Sequence, residues 1–202
     1  MIKAVIFDIG GVVIEIEDDI IYKYIAERFG LDLKETKEKI KTPLYLLNKG
    51  EITEKECWIR FCDSYGKLLP DDWEDLWLKK YREKAKTNKD VMKIIEMLKH
   101  NGYRLAAITN TISSHCAWAE KMNWYKPFDV LVSSCKDHVI KPEPSAFELA
   151  LKRLGLKAHE CIFIDNVEKN VRGAKRAGLH AILFKNAEQM KKDLKKFGVQ
   201  IE

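Results

Sequence analysis

Five short stretches of this chain are apolar almost without interruption: KAVIFD near the start, then YRLAAIT, FDVLVSS, ECIFID and HAILF in the second half. Each is rich in β-branched or aromatic residues, and most lack the alternation of a half-exposed strand. Such runs mark parallel strands covered on both faces. Between them, apolar residues at spacings of three and four predict helices over Asp90 to His100, Ser113 to Met122, Pro144 to Leu154 and Lys169 to Ala177. Alternation of this kind predicts an α/β fold, a doubly wound parallel sheet with right-handed crossovers.

The chain between Asp18 and Lys86 reads differently. DIIYKYIAERFG, TEKECWIRFCDSYG and DDWEDLWLKKYREKAK all show the helical period, with no strand-like run among them. Pro43, Gly50, Gly66 and Pro70 are expected to punctuate these segments. Thr53, with Glu56 at the third position after it, predicts a capping box at a helix start. We therefore expect residues 17–86 to form an all-helical insert, spliced into a core made of residues 1–16 and 87–202. Trp58, Trp73 and Trp77 are expected in the insert's own core.

Composition narrows the class without naming a function. The chain has 202 residues, 46% of them hydrophobic and 33% charged, an ordinary globular balance. Asp8 interrupts the first apolar run, which argues against a signal peptide, and no stretch reaches the roughly 18 apolar residues of a membrane helix. A cytoplasmic protein is expected. The five cysteines, Cys57, Cys62, Cys116, Cys135 and Cys161, form no C-x-x-C pair, which argues for reduced thiols rather than a disulfide framework or zinc site. The net charge of +5 is dispersed. Its nearest approach to a run, Lys191, Lys192, Lys195 and Lys196 beside Asp193, fits the solvated face of a C-terminal helix better than a nucleic-acid patch. Neither a nucleic acid nor a membrane is expected as a partner. The sequence leaves oligomeric state open.

In doubly wound sheets, ligands bind beyond the carboxyl ends of the strands. The first run ends at Asp8, followed by Ile9, Gly10 and Gly11. The second ends at Thr109, followed by Asn110. Lys141 and Pro142 come after the third. The fourth ends at Asp165, followed by Asn166. An acid, a hydroxyl, an ammonium and a second acid thus converge on one edge. A carboxylate can attack phosphorus to give an aspartyl-phosphate. Phosphoryl transfer otherwise needs positioning and charge neutralisation, which Thr109, Lys141 and backbone N–H groups of a glycine turn at Gly10 and Gly11 can supply. Asp8 and Asp165 would repel each other without a cation between them, and Mg²⁺ suits oxygen ligands of this kind.

These residues resemble the motifs of the haloacid dehalogenase-like (HAD) superfamily. FDIGGV matches its first motif, AAITNT the second, IKPEPSAF the third, and FIDNVEKNVRGAKRAG the fourth, through Asp165 and Asn166 or Asn170. The resemblance implies a Rossmann-like core with strand order 5-4-1-2-3 and an α-helical cap over residues 17–86. It implies Asp8 as nucleophile, with Thr109 and Lys141 as catalytic partners. Gly10, Gly11, Thr109, Asn110 and Lys141 would bind phosphate. Asp8, the Gly10 carbonyl, Asp165 and Asn166 would hold magnesium. The implied activity is a Mg²⁺-dependent phosphatase acting on a small phosphorylated metabolite, a sugar phosphate among the candidates.

Two positions depart from the family pattern. Gly10 stands where the family usually has its acid/base carboxylate, whose loss costs about 10²–10⁴ in rate. Asn166 stands where a second carboxylate is common, which lowers the negative charge around a metal. Glu15, Glu17 and His115 are the side chains that could replace the missing acid. Two alternatives stay open: a catalytically impaired binding or regulatory protein, and a metal-independent 2-haloacid dehalogenase. That branch also lacks the second acid of motif one, but it usually carries Ser where this chain has Asp165. Cap residues Tyr45, Asn48 and Lys49 are candidates for setting specificity.

Overall fold

β1 (Ala4–Phe7) is the centre of the molecule, and every one of its residues is fully buried. In this computed structural model, which describes residues 1–17 and 19–201, β1 pairs in parallel with β4 (Arg104–Thr109) and β6 (Cys161–Asp165). β5 (Val130–Ser133) and β7 (His180–Leu183) complete the sheet in the order β5-β4-β1-β6-β7. Counted along the core strands, that is the expected 5-4-1-2-3 order read from the opposite edge.

The lack of polar alternation now has its cause. Val5 and Phe7 point into a cluster with Val91, Ile95 and Leu98 of α5 (Lys89–His100) and Met190 and Leu194 of α10 (Ala187–Lys196). Ala4 and Ile6 point the other way, against Phe147 and Ala150 of α8 (Pro144–Leu154) and Ala174 of α9 (Glu168–Arg176). Each strand residue must be apolar whichever face it takes.

Two short strands, β2 (Ile14–Glu15) and β3 (Lys86–Thr87), pair antiparallel. The segment they bracket holds α1 (Ile20–Phe29), α2 (Leu33–Asn48), α3 (Glu54–Asp63) and α4 (Asp75–Lys84). Asp18, within this segment, lies outside the described residues. These helices bury their own cluster, in which Trp58 sits between Phe29, Phe61 and Trp77, with Trp73 packed at its margin. The capping box at Thr53 and Glu56 is present.

Two local expectations fail. Pro43 does not end a helix: α2 runs through it. Pro43 costs that helix a hydrogen bond, but Thr36, Ile40, Pro43 and Leu47 form one continuous buried stripe that only a helix can deliver. The FDVLVSS run keeps its strand through Ser133 but not Ser134, which opens a single helical turn, α7 (Ser134–Asp137), because Asp137 accepts from the Ser133 N–H at 2.8 Å and closes the turn on itself. α6 (Ser113–Lys121) falls where predicted.

Gly173, in α9, lets that helix lie directly on the segment after Lys141. A Cβ at Gly173 would fall 2.7 Å from Pro142 Cβ and 2.8 Å from the Pro142 carbonyl oxygen. Replacing a helical glycine with alanine ordinarily stabilises by about 1 kcal/mol. Here overpacking reverses the sign, and Gly173→Ala is expected to lower stability by about 1–3 kcal/mol in urea denaturation. A variant as stable as the parent would mean that the contact yields freely.

Candidate active site

The parallel register sets Phe7 beside Ala107 of β4 and Ile164 of β6. The Asp8 N–H donates to the Ile164 carbonyl at 2.8 Å, which extends the ladder by one residue and fixes where the carboxyl group emerges. Asp165 closes β6 at the level of Asp8, and Thr109 closes β4 one residue further along. Strand-end residues far apart in sequence therefore meet at one edge.

The meeting is close. Lys141 Nζ lies 2.6 Å from Asp8 Oδ1 and 2.8 Å from Asp165 Oδ2. Lys141 is 3% exposed, Asp8 7% and Asp165 0%. Asp165 accepts two further hydrogen bonds, from the Val167 N–H at 2.7 Å and Asn170 Nδ2 at 3.0 Å. Asn110 holds the lysine backbone from both sides. Its Nδ2 donates to the Lys141 carbonyl and its Oδ1 accepts from the Lys141 N–H, each at 2.9 Å. The Asn110 side chain, expected at the phosphate, is thus committed to positioning Lys141.

Asp8, Gly10, Thr109 and Lys141 line one cavity of about 330 Å³. Gly11 and Asn166 line a neighbouring cavity of about 800 Å³, together with Glu15 and Glu17. The two glycines serve different needs. Gly11 has φ +82°, and a side chain there would collide with Asn166, so the turn requires glycine. Its N–H donates to the Ile14 carbonyl at 2.7 Å, so this donor is used within the turn. A Cβ at Gly10 would meet nothing within 4 Å, and its φ is not in the left-handed region.

Of the three side chains considered as replacements for the missing acid, His115 shares the Asp8 cavity. Its ring stacks on Tyr81, centroids 3.8 Å apart and 7° from parallel. Nε2 lies 3.0 Å from the Trp77 carbonyl, which only accepts, so Nε2 carries the proton. Burial pushes the His115 pKa down to about 4, so the ring is neutral at ordinary pH and its one proton is held by Trp77. Tyr81 and Tyr125 also line the cavity and were not singled out from sequence. Tyr81 lies at a helical position, where an aromatic reads as core, and Tyr125 lies in the turn after α6, with no local pattern to mark either.

Burial also dominates the Asp8 carboxyl and pushes it up to about 6, opposed by Lys141 and assisted by Asp165. For Lys141, burial acts to lower the pKa, but the two neighbouring carboxylates outweigh it and the value is raised.

The donor set fits a hard cation. Among the described residues no group of three or more His, Cys, Asp or Glu is arranged to hold a metal. Two carboxylates do converge, however, and magnesium commonly uses one or two, with water and substrate phosphate completing its shell. Asn166 Oδ1 and Asn170 Oδ1, next to or bonded to Asp165 through their residues, are buried without a hydrogen-bond donor. An orphaned buried acceptor costs about 1–3 kcal/mol, which a cation can relieve.

The model of the haloacid dehalogenase-like hydrolases matches residues 2–178. Acyl-CoA dehydrogenase family member 10 of Mus musculus is 28% identical over 199 residues, covering 95% of this chain but 19% of that protein. Mouse bifunctional epoxide hydrolase 2 is 27% identical, with 76% and 30% covered. The chain thus spans less than a third of the length of these curated relatives. The phosphorylated carbohydrates phosphatase of Thermotoga maritima is 25% identical over 89% of this chain and 83% of its own. Among solved structures, a magnesium complex of a HAD family enzyme from Bacteroides thetaiotaomicron aligns at TM-score 0.76 and 23% identity, covering 96% and 98% of the two chains. The chain belongs to the haloacid dehalogenase-like hydrolases.

The electrostatics give a test. In metal-free protein the Asp8 carboxyl should titrate near pH 6, followed by its ¹³C chemical shift. Lys141→Met removes the chief influence that lowers it and leaves burial and Asp165, so the midpoint should rise. A midpoint that stays or falls would contradict the assignment of Lys141 as the stabilising charge.

Proposed function

We propose that this haloacid dehalogenase-like hydrolase is a Mg²⁺-dependent phosphatase of a small phosphorylated metabolite, working through an aspartyl-phosphate on Asp8. The observation that carries the reading is the buried pair of carboxylates sharing one ammonium, Lys141 Nζ 2.6 Å from Asp8 and 2.8 Å from Asp165. The buried cluster of two carboxylates and one lysine carries one negative charge in excess, which the Lys169 ammonium in the cavity wall does no more than offset. A phosphate ester is itself anionic, so its entry calls for further positive charge. Magnesium, when bound, supplies that charge and screens the phosphoryl oxygens from the carboxylates. Asp8, the Gly10 carbonyl, Asp165 and Asn166 are the residues that would hold it.

In the first half-reaction an Asp8 oxygen attacks phosphorus, the P–O bond to the leaving group breaks, and the leaving oxygen departs with the bonding pair. Thr109 donates its hydroxyl to a phosphoryl oxygen, and Lys141 neutralises charge as the transition state forms. In the second half-reaction water attacks phosphorus and releases Asp8 and inorganic phosphate. Residues 17–86 act as a cap over this site, and residues 1–16 and 87–202 as the catalytic core. Asp165 favours this reading over the metal-free dehalogenase alternative, since a second buried carboxylate serves a cation and has no part in displacing halide.

Gly10 shapes the substrate preference. With no carboxyl at this position and the His115 proton committed to Trp77, the leaving oxygen departs without a strong acid. Esters with good leaving groups are therefore preferred.

Hydrolysis of an aryl phosphate with Mg²⁺ tests the assignment. Asp8→Asn should lower the rate by at least about 10³, and EDTA should abolish it. Equal rates for the two proteins would overturn the nucleophile. EDTA-resistant release of halide would favour the dehalogenase, and no turnover on any phosphate ester the impaired protein. Gly10→Asp, for which the backbone has room, should raise the rate on alkyl phosphates by about 10²–10⁴ and on aryl phosphates far less. An equal effect on both classes would mean that leaving-group protonation is not what Gly10 lacks.

A further inference from the structure

A third cavity, of about 530 Å³, opens beside the Asp8 pocket, between the helical insert and the core. The two cavities share Asn110, Lys141 and Lys169 in their walls. A ligand seated at Asp8 and larger than phosphate therefore extends into it.

The charges around this cavity can be accounted for one by one. Asp19, Lys37 and Lys41 come from the insert, and Lys141, Glu143 and Lys169 from the core. Lys37 Nζ pairs with Asp19 Oδ2 at 2.5 Å. Lys141 is committed to Asp8 and Asp165. Glu143 accepts from the Tyr45 hydroxyl at 2.7 Å and has Lys49 at 3.9 Å. Lys41 and Lys169 have no hydrogen bond or ion pair among the described residues. Once the pairs are set aside, two ammonium groups remain without counter-charge, one on the insert's α2 and one at the start of α9. Unpaired surface lysines are common. These two differ in lining one cavity from its two separate walls, next to the reacting carboxylate. Between them the wall is lipophilic, formed by Ile40, Leu44 and the Tyr22 ring.

We propose that the substrate carries a second anionic group, set off by a short carbon skeleton from the phosphoryl group that Asp8 attacks, and that Lys41 and Lys169 bind it. The proposal rests on the phosphatase reading above and adds the substrate class. The second anion is a carboxylate or another phosphate, both of which an ammonium pair accepts. The skeleton lies along Ile40 and Leu44. Because one lysine belongs to the insert and the other to the core, such a ligand also ties the two together over the site, which excludes water from it.

Matched probes test this. Propyl phosphate carries one anion, while 3-(phosphonooxy)propanoate and 1,3-propanediol bisphosphate carry two on the same skeleton. With Mg²⁺, kcat/KM should favour the two-anion probes by about tenfold or more, and their ranking distinguishes carboxylate from phosphate. Lys41→Met and Lys169→Met should each lower that preference by about fivefold, and Lys→Arg should retain it. A binding arm uses the Asp8→Asn protein. Calorimetric affinity for the bisphosphate over propyl phosphate should show the same lysine dependence and weaken with salt. Equal treatment of one-anion and two-anion probes in both arms would overturn the proposal, while the aryl phosphatase activity would stand. A lysine-dependent preference in binding without turnover of any ester would uphold the second-anion site and count against the phosphatase reading alone.

Discussion

The chemistry of this molecule depends on keeping one ammonium group buried between two carboxylates. Taking Lys141, Asp8 and Asp165 out of water costs several kcal/mol per ion, and their mutual attraction returns it only when the geometry is close. At 2.6 and 2.8 Å it is close. Losing one partner of such a set typically destabilises by about 3–5 kcal/mol, whereas apolar residues in its place would often be tolerated. The set is thus a poor device for stability. Its cost is intelligible if the same groups are needed for a reaction, with a carboxylate held partly desolvated and its pKa pushed up to about 6.

Holding that set together explains features of the scaffold that packing alone leaves arbitrary. Asp8 and Asp165 stand on neighbouring strands whose register is fixed by hydrogen bonds and by apolar residues on both faces, so neither carboxylate can slide. Lys141 comes from a loop, which by itself would be a loose mount. Asn110 clasps its backbone on both sides, and α9 presses on the adjoining Pro142 at the point where Gly173 has no side chain. The loop thereby acquires the precision of the strands beside it. The insert is tied over the same edge, through Tyr81 stacked on His115 and the Tyr45 hydroxyl on Glu143.

The five core strands, the flanking helices and the polar residues at or after the strand ends were legible because each depends on local pattern: unbroken apolar runs, helical spacing, and the polar residues that follow each run. Asp8, Thr109, Lys141 and Asp165 could be assigned to one edge because strand ends in a parallel sheet share a side. What local pattern could not convey was partnership. Asn110 was expected near the phosphate, and nothing in its local sequence shows that its side chain clasps Lys141, 31 residues away. Gly10 and Gly11 looked like one turn element, yet only Gly11 has the positive φ and the crowded neighbour that demand glycine. Tyr81 and Tyr125 reach the cavity from unrelated segments. Pro43 sits inside a helix because the burial of a whole face outweighs one lost hydrogen bond.

The missing carboxyl at Gly10 and the uncompensated lysines of the adjoining cavity are best understood together. An enzyme without a strong acid at the leaving oxygen must lower its barrier by other means. Binding energy from a part of the substrate that does not react is such a means, when it is spent on fixing the reacting group against Asp8 rather than on affinity alone. A second anion gripped by Lys41 and Lys169 would do this, because Lys169 and Lys141 border both cavities and couple the remote contact to the reacting one. Gly10 then reads as a selective filter. On this proposal, esters whose second charge locks them in place and whose leaving oxygen needs little help would be turned over fastest.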